Sequence, residues 1–73
     1  MNITNVREGD IVQVDKKGRI FFAQVTECVK RFEDNGNKTP FLKTQPLAHN
    51  CTYFTAEATE VIAHFRKMGR PRS

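Results

Sequence analysis

Apolar positions along the chain follow two periods. Up to Phe54 they come in short β-rich runs broken by polar turns, and beyond Thr55 they recur at helical spacing. The rest of the chain is organised around the segment from Asp10 to Lys30. There, two runs (residues 11–15 and 20–29) flank the polar Lys16-Lys17-Gly18-Arg19. Val, Ile and Phe suit a pleated, half-buried surface, and Lys-Lys-Gly can close a type I turn followed by Gly18 as a left-handed residue. This predicts a β-hairpin. Its register is open, because a three-residue loop sets Val14 against Ile20 and Val12 against Phe22. A four-residue loop sets Val14 against Phe21 and Val12 against Ala23. Both faces of the second strand are apolar, with Ile20 and Phe22 on one and Phe21, Ala23 and Val25 on the other. That predicts a bulge or bend near Ala23-Gln24, or a sheet covered on one side by a helix and on the other by a partner.

The second turn centres on Asn35-Gly36, a two-residue hairpin signal because both residues tolerate positive φ. It sets Glu33 opposite Asn37 or Lys38 and brings Val29 near Leu42. A third strand over residues 39–45 is bounded by Pro40 and Pro46, which cannot donate to a ladder, so it reads as an edge strand or one interrupted at both ends. Residues 51–54 form a short fourth strand. From Thr55 the apolar residues Ala58, Val61, Ile62 and Phe65 mark one helix face, with Thr55 as N-cap and Glu57 and Glu60 early. Arg66 and Lys67 fall in the last turn, and Gly69 ends it. Thr59, Val61, Ala63 and Phe65 also alternate, which keeps a fifth strand as a minor alternative. The expected fold is α+β: a four-stranded antiparallel meander curled toward a small barrel, with one C-terminal helix. Residues 1–68 would form the domain and residues 69–73 a basic tail.

Charge sharpens this picture. The net charge is +4, from twelve basic and eight acidic residues. Arg66, Lys67, Arg70 and Arg72 lie in the last eight residues with no acid among them, so residues 1–65 balance at eight basic and eight acidic. The excess positive charge sits at the C-terminal end, which points to a polyanionic partner. At 73 residues the chain is near the lower size limit for one hydrophobic core. Cys28 and Cys51 read as small apolar residues. With no apolar N-terminal targeting segment and no run of membrane-spanning length, a soluble cytoplasmic protein with reduced thiols and no membrane partner is expected.

The Glu-Gly-Asp-Ile-Val-Gln-Val opening at residues 8–14, the basic turn and the bent second strand resemble the start of Src-homology-3-like small barrels, the group that includes Tudor and KOW domains. The likeness covers about half of the chain, and the predicted helix and the lack of Trp depart from it. Gly69-Arg70-Pro71 is identical to the Gly-Arg-Pro centre of the AT-hook, with Arg72 extending it and Met68 where that family places a first arginine. The AT-hook resemblance implies an extended segment lying in the minor groove of AT-rich DNA, with Arg70 reaching the groove floor and Arg72 beside it. Narrow A·T grooves concentrate negative potential and favour an inserted guanidinium. The alternative is a helix stop followed by a solvated tail.

Lys16, Lys17 and Arg19 at the first hairpin tip form a second set of candidate phosphate contacts, the alternative being a solvated turn. Tyr53, Phe22 and Phe32 would make a stacking platform if exposed. His49, Cys51, Cys28 and His64 lack the paired spacing of a zinc site, and His64, beside the helix stripe, reads as half-buried and structural. No phosphate-cradling glycine loop or dinucleotide glycine pair is present, so neither an enzyme nor a cofactor, metal or small-molecule substrate is expected. The expected function is non-catalytic nucleic-acid binding by a small regulator or architectural factor, DNA favoured over RNA and homodimerisation possible. The binding residues would be Arg66, Lys67, Arg70, Pro71, Arg72, Lys16, Lys17 and Arg19. The alternative is a protein-interaction module or obligate dimer that recognises an acidic partner.

Overall fold

The hairpin around Gly18 sets the register of the whole sheet. In the computed structural model, which describes residues 2–66, β1 (Ile11–Lys16) pairs antiparallel with β2 (Arg19–Phe32). Val14 faces Phe21 and Val12 faces Ala23. Lys16 pairs with Arg19, so only Lys17 and Gly18 close the loop, and both have positive φ (53° and 90°). This is the signature of a type I′ turn, whose twist matches that of the flanking strands. The Asp15 carboxylate accepts the Gly18 N–H at 2.9 Å and helps hold a conformation that Lys17 adopts only at a cost.

The second hairpin inverts the expectation. Glu33 N–H donates to Asn37 O, and Gly36 N–H donates to Glu33 O. Asp34, Asn35 and Gly36 therefore form a three-residue loop in which Gly36 alone has positive φ. Of the two pairings open to Glu33, the one with Asn37 forms, while Val29 faces Phe41 rather than Leu42. The outgoing strand, β3 (Lys38–Pro46), includes both prolines. Its outer neighbour β4 (Thr55–Glu57) pairs only with Phe41, Leu42 and Lys43, in the stretch between them. The bulge of the second strand falls between Val25 and Glu27, just beyond the expected Ala23-Gln24, at the point where Val25 exchanges hydrogen bonds with Gly9 and Asp10.

The expected C-terminal helix and the α+β class are overturned. The described residues contain no α-helix: after β4 comes a single 3₁₀ turn (Ala58–Glu60) and then β5 (Val61–Phe65), giving a five-stranded antiparallel sheet in the order β4-β3-β2-β1-β5. The fifth-strand alternative forms because β5 pairs with β1, whose second edge a helix would leave without ladder partners. A register shift between Gln13 and Val14 breaks the alternation, so that Ala63 and Phe65 pair with Gln13 and Ile11 on the outer face. Val61 enters the core beside Val14, whereas Ile62 and Phe65, members of the same expected helix face, are exposed. The acidic capping signal is real but serves the 3₁₀ turn, where Glu57 and Glu60 form a reciprocal capping box. Residues 51–54, expected as the fourth strand, are irregular, and the strand begins at Thr55.

The core lies on one face of the sheet and is built from small residues. Val12, Val14, Phe21, Ala23, Val25, Leu42, Ala56 and Val61 are buried, joined by Ile3, Val6 and Cys51 from outside the strands. Phe21 is the one buried phenylalanine of six. No helix of the described residues is long and apolar enough to cross a membrane.

Candidate functional site

The basic residues of the hairpin tip fall into different environments. Lys16 turns inward: its ammonium lies 2.9 Å from Glu60 Oε1 and 5.4 Å from the centre of the Tyr53 ring. Glu60 Oε1 also accepts the Glu57 backbone N–H at 3.0 Å. Partial burial raises the Glu60 pKa, but the Glu57 N–H and the Lys16 ammonium outweigh it and leave the carboxyl below its ordinary range. Lys16 is thus a structural pin between the tip and the 3₁₀ turn. Lys17 is exposed, and Arg19 is exposed with its guanidinium on the carbonyls of His49 and Asn50, both at 3.3 Å.

Arg66 follows Phe65 at the opposite end of β1, because Phe65 pairs with Ile11. Five residue steps along β1 separate that end from the tip, about 17 Å at ~3.3 Å per residue. Lys16, Lys17 and Arg19 share the hairpin tip, and Arg66 stands apart from them. It lines a shallow concavity with Asn5, Arg7 and Asp10. The Asp10 carboxylate, itself buried, accepts the Arg7 N–H at 3.1 Å and lies 2.7 Å from His64 Nε2, tying the entry of β1 to β5. His64 is half-buried and structural in this pairing. Arg7 was not singled out by sequence reasoning, since its neighbour across the sheet emerges only from the β1–β5 register. Lys67, Arg70, Pro71 and Arg72 lie outside the described residues.

Between the two basic ends runs an apolar outer face. Ile20 and Phe22 alternate outward from β2, the Phe22 and Phe65 ring centres are 6.1 Å apart, and Ile11 and Leu47 border them. The stacking platform expected from Tyr53, Phe22 and Phe32 does not assemble. Tyr53 stacks on the core residue Phe21 at 5.8 Å, while Phe32 stands at the far hairpin beside Lys38. Phe65 takes their place beside Phe22.

Part of the body's charge is matched internally. Lys16–Glu60, Arg31–Glu57, Lys43–Glu27 and His64–Asp10 are paired, and among the described residues no carboxylate lies within ion-pair distance of Lys17, Arg19 or Arg66. Among the described residues no three His, Cys, Asp or Glu side chains gather as a metal site. The cysteines are unpaired. The Cys28 thiol donates to Val6 O at 3.3 Å, and burial, then the charges of Glu8 and Asp10, raise its pKa, which keeps it a thiol rather than a nucleophilic thiolate. No protein-family model, curated protein or solved structure matches this chain.

Proposed function

We propose that the protein binds nucleic acid without catalysis, duplex DNA before RNA, as a small regulator or architectural factor. One observation carries this reading. Lys16, Arg31 and Lys43 are held in internal ion pairs, whereas Lys17, Arg19 and Arg66, like Arg7, Lys30 and Lys38, are exposed with no carboxylate partner among the described residues. The four cations of residues 66–73 then add a charge that the balanced body does not offset. Backbone phosphates are the complementary ligand, since each cation that neutralises one releases a condensed counterion. Arg70 and Arg72 would add minor-groove contacts of the AT-hook kind.

The proposed Src-homology-3-like relationship draws support from the meander itself: its last strand returns beside its first, and a 3₁₀ turn leads into that strand. Mobility-shift titration of AT-rich duplex, GC-rich duplex and single-stranded probes at two salt concentrations tests the function. The expected result is tightest retention of the AT-rich duplex, with all binding weakened by salt. Absence of a shift on every probe at low salt overturns the proposal.

A further inference from the structure

The two edges of the sheet are not protected alike. At one edge β4 has three residues, its Glu57 is in an ion pair with Arg31, and prolines flank the segment it pairs with. At the other edge β5 has five residues, Val-Ile-Ala-His-Phe, with no proline and no Lys, Arg, Asp or Glu. Natural edge strands are normally kept from pairing by such residues or by being short. Among the described residues no backbone hydrogen bond is recorded from β5 to anything but β1.

We infer that β5 and the apolar face beside it form a self-association surface, on which a second copy of the chain seats by antiparallel pairing of β5 with its counterpart. Three observations select a copy over another occupant. The first is area. Phe22, Phe65, Ile20 and Leu47 are 46%, 50%, 54% and 57% exposed. At roughly 200 Å² per large apolar side chain, they offer about 400 Å² per copy. That is about half of the ~800 Å² per partner in a stable interface, and the β5 backbone and Ile11, which lines the same face, extend it. The second is charge. Neither β5 nor Ile11, Ile20, Phe22 and Leu47 carries a Lys, Arg, Asp or Glu side chain, so the patch meets its own copy without like-charge contact. The chain's excess positive charge, the complement for an acidic partner, begins only at Arg66. The third is geometry. Ala63 and Phe65 share the outer face with Gln13 and Ile11, with which they pair. Facing residues of antiparallel strands lie on the same side of a sheet, so pairing about His64 sets Phe65 of one copy opposite Ala63 of the other. A two-fold arrangement of this kind makes each outer patch continuous with its symmetry mate.

The inference stands apart from nucleic-acid binding and is tested without nucleic acid. Sedimentation velocity on the full chain at sub-millimolar concentration should give twice the mass of one chain. Phe65→Ser and Ile62→Lys should each return the single-chain mass while the far-ultraviolet circular dichroism stays that of the wild type. Should either variant unfold, hydrogen exchange on the wild type supplies the second reading, with protection of the β5 amides rising with protein concentration. A single-chain mass throughout, whether or not an acidic peptide binds the face, overturns the inference. So do a dimer indifferent to both substitutions and β5 protection independent of concentration.

Discussion

Leu42 is the largest fully buried side chain, 1% exposed at the centre of β3, where it faces Cys28 on β2 and Ala56 on β4. Leu42→Ala removes three carbon groups from the core. At ~0.8 kcal/mol per buried methylene the transfer loss is about 2.4 kcal/mol. The neighbours are mostly Val and Ala on a hydrogen-bonded sheet, so the site cannot collapse fully, and the remaining cavity raises the cost to about 3–4 kcal/mol. A chain of this length has a total stability of about 4–11 kcal/mol at ~0.05–0.15 kcal/mol per residue, so the substitution should remove about a third of it at the upper end and nearly all of it at the lower. Urea titration followed by circular dichroism measures this as a lower midpoint with an unchanged slope. Phe22→Ala, on the exposed face, is the control, and at a concentration where the chain is monomeric it should change stability by no more than ~0.5 kcal/mol. A loss below about 1 kcal/mol for Leu42→Ala would refute a core centred on β3 and place the principal packing elsewhere.

Other consequences follow from single contacts. The Thr44 hydroxyl is buried with no hydrogen-bond partner, so the isosteric Thr44→Val should raise stability by about 1 kcal/mol in calorimetry, and a fall would show that the hydroxyl is satisfied. The Glu60 carboxyl has a folded pKa below its ordinary 4.5, so the stability it contributes is present above that value and is lost as pH falls through the folded pKa. Wild type should therefore exceed Glu60→Gln in urea midpoint at neutral pH and converge with it in strong acid. An equal gap at both pH values would contradict the Lys16 pin. Lys17 has a φ of 53°, which Asn adopts more readily, so Lys17→Asn should stabilise the turn by about 0.5 kcal/mol in the same titration, and a destabilisation would count against the type I′ turn.

The hairpin elements were legible because their signals are local. Lys-Lys-Gly and Asn-Gly placed both loops to within a residue, whereas the core face of the second strand, with both faces apolar, was settled only by the register that buries Phe21, Ala23 and Val25. The turn types were exchanged, because loop length depends on which cross-strand pair closes last: Lys16 with Arg19 in one hairpin, Glu33 with Asn37 in the other. The C-terminal error had a different origin. Ala58, Val61, Ile62 and Phe65 form a helical stripe while Thr59, Val61, Ala63 and Phe65 alternate, and the choice between them rests on the long-range partner β1, which local periodicity does not encode. Of the candidate site, the exposure of Lys17 and Arg19 follows from their place in a turn. The inward rotation of Lys16 onto Glu60 and the meeting of Arg7 with Arg66 require the folded register.

In the proposed function a charge-balanced body is followed by a cationic end that would grip a polyanion. The most direct measurement is fluorescence anisotropy of an AT-rich duplex across a salt series, with wild type and a full-length variant carrying Arg66→Gln, Lys67→Gln, Arg70→Gln and Arg72→Gln. Four phosphates neutralised by the C-terminal cations at ~0.9 each contribute about −3.6 to the slope of log K against log salt in the wild type. The variant should lose most of its affinity and most of that slope. Equal affinity and equal slope for the two proteins would contradict the account.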